Sequence, residues 1–151
     1  MDDIGTDMKG NLLLIDDEAV LIECLRTVLE DHADHIYTAS NGEEGYKTYK
    51  ENPIHCIVCD IDMPVMNGVD LIKKLRAEDC EIPFIFYAGH GTRELMLDAA
   101  KYGAFDFLDK THLTGLDEVV KRALAISTNT KPATPDDFMS DFQKMLEDLE
   151  D

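Results

Sequence analysis

Five times along this chain a short apolar run gives way to a segment whose apolar residues recur at helical spacing, and that alternation leaves few folds open. Leu12-Leu13-Leu14-Ile15 is the first run, closed by Asp16-Asp17. Glu18 to Asp31 then repeats Leu21, Cys24, Leu25, Val28 and Leu29 as a helix would. Ile36 to Ala39 reads as the second strand, and Asn41-Gly42 turns the chain into a helix carrying Tyr46 and Tyr49. Ile54 to Asp60 is the third strand, followed by the loop Met63-Pro64-Val65-Met66-Asn67-Gly68 and a helix with Leu71, Ile72 and Leu75. Phe84 to Ala88 is the fourth strand, and a helix from about Thr92 to Tyr102 stops at Gly103, a common terminator. Phe105 to Leu108 and a helix around Leu116 to Ile126 complete the fifth unit.

Strands that alternate with helices pair in parallel, because parallel neighbours need crossover connections. Strands apolar almost throughout are covered on both faces. The expectation is a doubly wound α/β domain with its function at the carboxyl ends of the strands. The polar residues that interrupt the apolar runs agree: Asp16 and Asp17 follow strand one, Asp60 ends strand three and Lys110 follows strand five.

Carboxylates crowded at one place repel and raise one another's pKa. A hard divalent cation resolves this, since Mg²⁺ prefers one or two carboxylates together with water and phosphate oxygens. A nearby lysine supplies a compact positive charge for a phosphate oxygen. Asp16, Asp17, Asp60 and Lys110 together therefore suit phosphoryl transfer onto an aspartate, chemistry that is mostly positioning and charge neutralisation.

At these residues the chain resembles the receiver domains of two-component response regulators. Leu14-Ile15-Asp16-Asp17-Glu18 is similar to the family's acidic pair, and Ile57 to Gly68 to its acceptor strand and Met-Pro…Gly loop. Gly103 to Lys110 is similar to its last strand and lysine, and the likeness runs from about Asn11 to Ile126. The resemblance implies a flavodoxin-like sheet of order 2-1-3-4-5 and Asp60 as phosphoacceptor. It implies Mg²⁺ (or Mn²⁺) held by Asp17 and Asp60, by Asp16 through water and by the backbone carbonyl of Asp62, with Lys110 on the phosphoryl group. It further implies a switch that catalyses its own phosphorylation and dephosphorylation, not an enzyme with turnover. The donor would be a histidine kinase or a phosphotransfer protein.

Three positions depart from the family pattern. Ala88 stands where Thr or Ser is usual. The missing hydroxyl removes a hydrogen bond to a charged group, about 1.5–3 kcal/mol, and leaves Lys110 and the Gly89 N–H as phosphoryl contacts. Phosphorylation is then expected to be slower and less tightly coupled to conformational change. Phe107 stands at the switch aromatic, often Tyr, and the space beside Ala88 favours an inward ring. Thr111 replaces the proline that commonly follows the lysine through a cis peptide; a cis bond to a non-proline costs about 2.5–4 kcal/mol, so a trans bond or strain is expected. Asp62 carries a side chain that either tunes hydrolysis or is a solvated loop acid.

The charge bounds the partners. Asp and Glu number 32 against 14 Lys and Arg, for a formal charge of −18. Nucleic-acid binding needs a basic face, so direct DNA contact is not expected and output falls to protein contacts. In the family these use the face of helix four, strand five and helix five. With no apolar run near the ~18 residues of a membrane span and no signal-peptide layout at Met1 to Gly5, the expectation is cytoplasmic residence. Cys56 and Cys59 fall three apart on one strand, hence on opposite faces, and read as small core residues.

Residues 1–10 read as an N-terminal arm, 11–126 as the receiver, 127–135 as a polar linker and 136–151 as an acidic helical tail. Phe138, Phe142, Met145 and Leu149 form the tail's apolar stripe, suited to docking on its own domain, to dimerisation or to a partner. A dimer through the helix four–strand five–helix five face is a further expectation.

Two other readings compete. Asp60-Ile61-Asp62 resembles the nucleophile motif of haloacid-dehalogenase-type phosphatases, but here it falls on the third strand with the acidic pair before it. The stronger competitor is a degenerate receiver, a non-phosphorylated interaction module, motivated by Ala88.

Overall fold

A computed structural model describes residues 8–129 and 145–147. The elements are β1 (Asn11–Ile15), α1 (Ala19–Leu29), β2 (His35–Ala39), α2 (Gly42–Glu51), β3 (Cys56–Asp60), α3 (Gly68–Ala77), β4 (Phe84–Ala88), α4 (Arg93–Ala100), β5 (Asp106–Asp109) and α5 (Leu116–Asn129), with a short 3-10 turn at Glu30–His32. All pairings are parallel, in the order β2-β1-β3-β4-β5, the flavodoxin-like order.

Period-two alternation divides the strands between two cores. Leu13, Ile15, Ile57, Cys59, Phe84 and Phe86 face α2, α3 and α4. Leu12, Leu14, Cys56, Val58, Ile85 and Tyr87 face α1 and α5. The two cysteines therefore lie on opposite sides of the sheet, as the alternation requires. Four of the five strands are buried or nearly so, whereas the edge strand β2 is mostly half-exposed.

Local chemistry fixes the helix starts. Asn41 and Asn67 cap α2 and α3, each side chain accepting from a backbone N–H three residues on (Glu44 and Asp70). In α1 the inward stripe is Ile22, Leu25 and Leu29, while Cys24 and Val28 are exposed. Both stripes are apolar in sequence, and the sheet selects one. The third strand begins at Cys56 and not Ile54, the fifth is shifted one residue to Asp106–Asp109, and α4 spans only Arg93–Ala100. The last helix continues three residues past Ile126, into the stretch read as linker, to Asn129. Residues 1–7, 130–144 and 148–151 lie outside the described residues, and with them most of the expected arm, linker and tail. No helix among the described residues is long and apolar enough to cross a membrane.

Strand order reverses direction between β1 and β3, and a crevice opens at their carboxyl ends where such sheets hold ligands. The topology brings Asp16, Asp17 and Asp60 to that crevice.

Candidate acidic phosphoacceptor site

Asp60 is the last residue of β3 and is almost wholly buried, at 3% exposure. Its Oδ2 accepts from Lys110 Nζ at 2.9 Å, and its Oδ1 accepts from the Asp62 N–H at 3.3 Å. Lys110 reaches it because its own N–H donates to the Ala88 carbonyl at 2.8 Å, prolonging the β4–β5 pairing beyond Asp109. The same ammonium meets Glu18 Oε1 at 2.8 Å. Peptide bonds among the described residues are all trans, so Lys110 aims at Asp60 through a trans bond to Thr111.

Asp16, just beyond β1, is buried at 2% exposure and anchored on both oxygens. Oδ1 accepts from the Glu18 N–H at 2.8 Å, and Oδ2 accepts from the hydroxyl of Tyr87 at 2.5 Å. Asp17 beside it is exposed. One oxygen from each of Asp16, Asp17 and Asp60 lies within 4.8 Å of the other two.

Burial dominates the electrostatics. It pushes the Asp16 carboxyl up to about 6, against the hydrogen bonds from Tyr87 and Glu18, and the Asp60 charge adds to the rise. Burial also raises Asp60, against the bond and charge of Lys110. At Lys110 burial works against the charge, but the bonds to Glu18 and Asp60 outweigh it and hold the ammonium above its ordinary range. Tyr87 is held neutral by burial and by the adjacent Asp16 charge.

These three carboxylates fit a hard cation. They offer oxygen donors only, from several directions within one ion's reach, and two are buried acids whose ionised forms lack solvent. Asp62 bonds the cluster through its backbone, while its residue is exposed. Ala88 is fully buried and carries no hydroxyl. Phe107 lies outside the acidic crevice: its ring is buried and stacked on Phe86, with centroids 5.7 Å apart. Its ring therefore points into the core.

Two residues of the site escape sequence reading. Glu18 follows the acidic pair and shares Lys110; Tyr87 sits inside an apolar strand and reads as core. The signal for Tyr87 is its hydroxyl, since a buried Tyr normally finds a hydrogen-bond partner.

The loop after Asp60 is tied down at both ends. Gly68 N–H donates to the Ile61 carbonyl at 3.1 Å, and Gly42 N–H to the Met66 carbonyl at 2.9 Å. Between them Met66 N–H donates to the Pro64 carbonyl, closing a three-residue turn centred on Val65 at φ 70°. A β-branched residue is disfavoured there, by about 1–2 kcal/mol. Glycine relieves that strain but loses about 0.5–1 kcal/mol to chain entropy. Val65→Gly is therefore expected to raise stability by about 0.5 kcal/mol, since the exposed Val65 side chain gives up little packing. Urea melts in chelator test this; a lower midpoint for the variant would mean that the turn carries no strain.

Comparison with known proteins agrees with this geometry. A family model described as response regulator receiver domain matches residues 12–123. The transcriptional regulatory protein SrrA of Staphylococcus aureus is 32% identical over 127 residues, which is 84% of this chain and 52% of that protein. The chain thus spans about half the length of the curated relatives it matches. A response regulator receiver domain protein from Clostridium thermocellum superposes with TM-score 0.69 at 29% identity, covering 81% of this chain and 96% of that one. A chain of the CheX-CheY-BeF3-Mg²⁺ complex from Borrelia burgdorferi gives TM-score 0.67 at 25% identity, covering 80% and 91%.

Proposed function

Because this chain belongs to the response regulator receiver family of two-component systems, we propose that Asp60 accepts a phosphoryl group from a histidine kinase or phosphotransfer protein. The reaction depends on Mg²⁺ or Mn²⁺, and the chain signals in the cytoplasm through protein contacts. One observation carries the reading: Lys110 Nζ stands 2.9 Å from Asp60 Oδ2 in a crevice shared with Asp16 and Asp17.

An Asp60 oxygen attacks phosphorus, forming the acyl phosphate O–P bond as the donor's P–N bond breaks and the imidazole leaves. Lys110 then exchanges one carboxylate partner for a phosphoryl oxygen. Glu18, on the outer side of the same ammonium, keeps it charged and aimed. Tyr87 fixes the Asp16 carboxylate from inside the core. A divalent cation, when bound by Asp16, Asp17, Asp60 and the Asp62 carbonyl, supplies the charge that lets these acids ionise together beside a phosphate. Ala88 contributes no hydroxyl, so transfer is slower and the pull on Phe107 weaker than in a receiver with Thr or Ser there.

The domain extends to the end of α5, and residues beyond it form the linker and acidic tail. The full absence of a side-chain hydroxyl at the buried Ala88 favours one second reading, the non-phosphorylated module.

Acetyl phosphate or beryllofluoride added with Mg²⁺ to the full chain separates the two. We expect a covalent phosphoryl adduct by intact mass, slow beryllofluoride-induced shifts around Asp60 and Lys110, and neither in excess chelator. Absence of adduct and of beryllofluoride binding at millimolar donor would leave only the module.

A further inference from the structure

β5 is the last strand on its side of the sheet, pairing with β4 on its inner edge. Edge strands of folded proteins are commonly covered by a helix or loop. Beside β5 lies a cavity of about 700 Å³ walled by Phe107, Asp109, Gly115, Val119 and Arg122, and Met145 completes its lining. Met145 comes from the far end of the chain, yet it is buried at 6% exposure and belongs to the same packed cluster as Phe107 and Ala104. Leu146 packs against that cluster, while Glu147 is exposed. These three residues are helical and present an apolar side inward and an acid outward.

The chemistry on both sides matches. An unbranched thioether fills an irregular cavity better than a branched side chain. Arg122 at the cavity pairs with Asp106 Oδ2 at 3.5 Å, and Asp109 and Glu118 also line it, so the match is between apolar surfaces, with Glu147 turned outward. Fifteen residues of sequence separate Asn129 from Met145. Covalent connection makes docking of Met145 intramolecular, at an effective concentration of about millimolar order. Modest intrinsic affinity therefore suffices for occupancy.

From this we propose that the β5–α5 cavity is a docking site for an acidic amphipathic helix with a methionine anchor, and that the chain's own segment around Met145 is its resident occupant. Any protein partner that addresses β5 and α5 has to displace it. The consequence for signalling rests on the receiver reading; the docking does not. Phe107 lines the cavity and Asp109 immediately precedes Lys110, so the cavity and the acceptor crevice share one short strand.

The test adds a synthetic peptide of residues 136–151 to the isotope-labelled full chain, as wild type and as Met145→Asp, and follows backbone amide shifts. In Met145→Asp the tethered copy is released, and the peptide is expected to perturb Phe107, Gly115 and Val119 at least about ten-fold more tightly than in wild type, where the cis segment competes. Unchanged amide shifts in β1 and β3 verify that the variant is folded. Equal affinity for the two proteins, or perturbations away from β5 and α5, would overturn the proposal. So would a wild-type dimer in sedimentation whose dissociation on dilution moves the Met145 methyl signal, because the occupant would then come from a second copy. Repeating the titration in Asp60→Asn separates the two claims: the ten-fold difference persists there even if no phosphoryl group is ever accepted.

Discussion

Asp60→Asn protein is expected to accept no phosphoryl group and yet, with divalent cations chelated, to unfold at a higher temperature than wild type near pH 7.5. The attacking carboxylate oxygen is gone, so adduct falls to background. Stability moves the other way because the ionised acid is costly where it sits. Burial outweighs the Lys110 bond and lifts the Asp60 carboxyl above its ordinary range, and the Asp60 charge in turn helps to lift Asp16 to about 6. An acid whose folded-state pKa exceeds its unfolded value of about 3.9 binds its proton more tightly in the folded state. Folding stability then falls as pH rises from about 4 to 6, and the loss is complete above. For Asp16 alone the shift corresponds to about 3 kcal/mol at neutral pH. Neutralising Asp60 removes its own share of that penalty and part of the Asp16 share. Lys110 keeps Glu18 as a partner, so its charge is not stranded. The advantage of Asp60→Asn in chelator should therefore be largest at pH 7.5 and vanish near pH 4. Mg²⁺ should reverse the order, since a ligand at a hundred times its Kd stabilises by about 2.7 kcal/mol and wild type has the fuller ligand set. Thermal melts at pH 4, 6 and 7.5, with EDTA or with excess Mg²⁺, read all of this. A wild type more stable than Asp60→Asn in EDTA at pH 7.5 would mean that the acids are not under strain.

The alternation of runs was sufficient to read the sheet, because the interiors of buried parallel strands are apolar and polar residues gather at their ends, as Asn11, Asp60 and Asp106 do. For the same reason Asp16 and Asp60 stand out as the first polar groups after apolar runs, while Lys110 comes one residue after Asp109. What escaped depends on contacts between distant strands. The Tyr87 hydroxyl meets Asp16 across 71 positions of sequence, and in a run such as Phe84-Ile85-Phe86-Tyr87 nothing local separates a tyrosine with a task from one that fills space. The inward face of α1 was misread at Cys24 and Val28 because the helix has apolar residues on two sides, and only packing decides between them. The end of α5 ran past its expected limit because Ser127 and Thr128, poor helix formers, still extend a helix already held by the core. The Thr128 hydroxyl donates to the Leu124 carbonyl at 2.7 Å and so stays satisfied within the helix.

Gly68→Ala is expected to destabilise the protein by about 1–2 kcal/mol and to slow phosphoryl acceptance, although alanine is the better helix former by about 1 kcal/mol. Gly68 opens α3 directly beneath Asp60. A methyl group there would stand 2.6 Å from the Phe86 ring and 3.0 Å from the Asp60 carbonyl oxygen. Neither neighbour yields easily. Phe86 is fully buried and stacked between Phe84 and Phe107, with centroids at 5.3 Å and 5.7 Å. The Asp60 carbonyl belongs to the strand that aims the carboxylate. Overpacking of a filled core costs roughly 1–3 kcal/mol, which exceeds the gain in propensity. Each kilocalorie lowers the melting temperature by about 2–4 °C in a protein of this size. Relief requires either the Phe86 ring or the end of β3 to shift. The first pushes on Phe107 and the cavity that Met145 lines; the second turns Asp60 away from Lys110. Gly89→Ala is the matched control for stability, since a methyl group added at Gly89 meets nothing within 4 Å. A Gly68→Ala protein that melts with wild type and takes phosphate from acetyl phosphate at the same rate would show that Phe86 is free to move, and the stacked trio would then lose its claim to hold the acceptor strand in place.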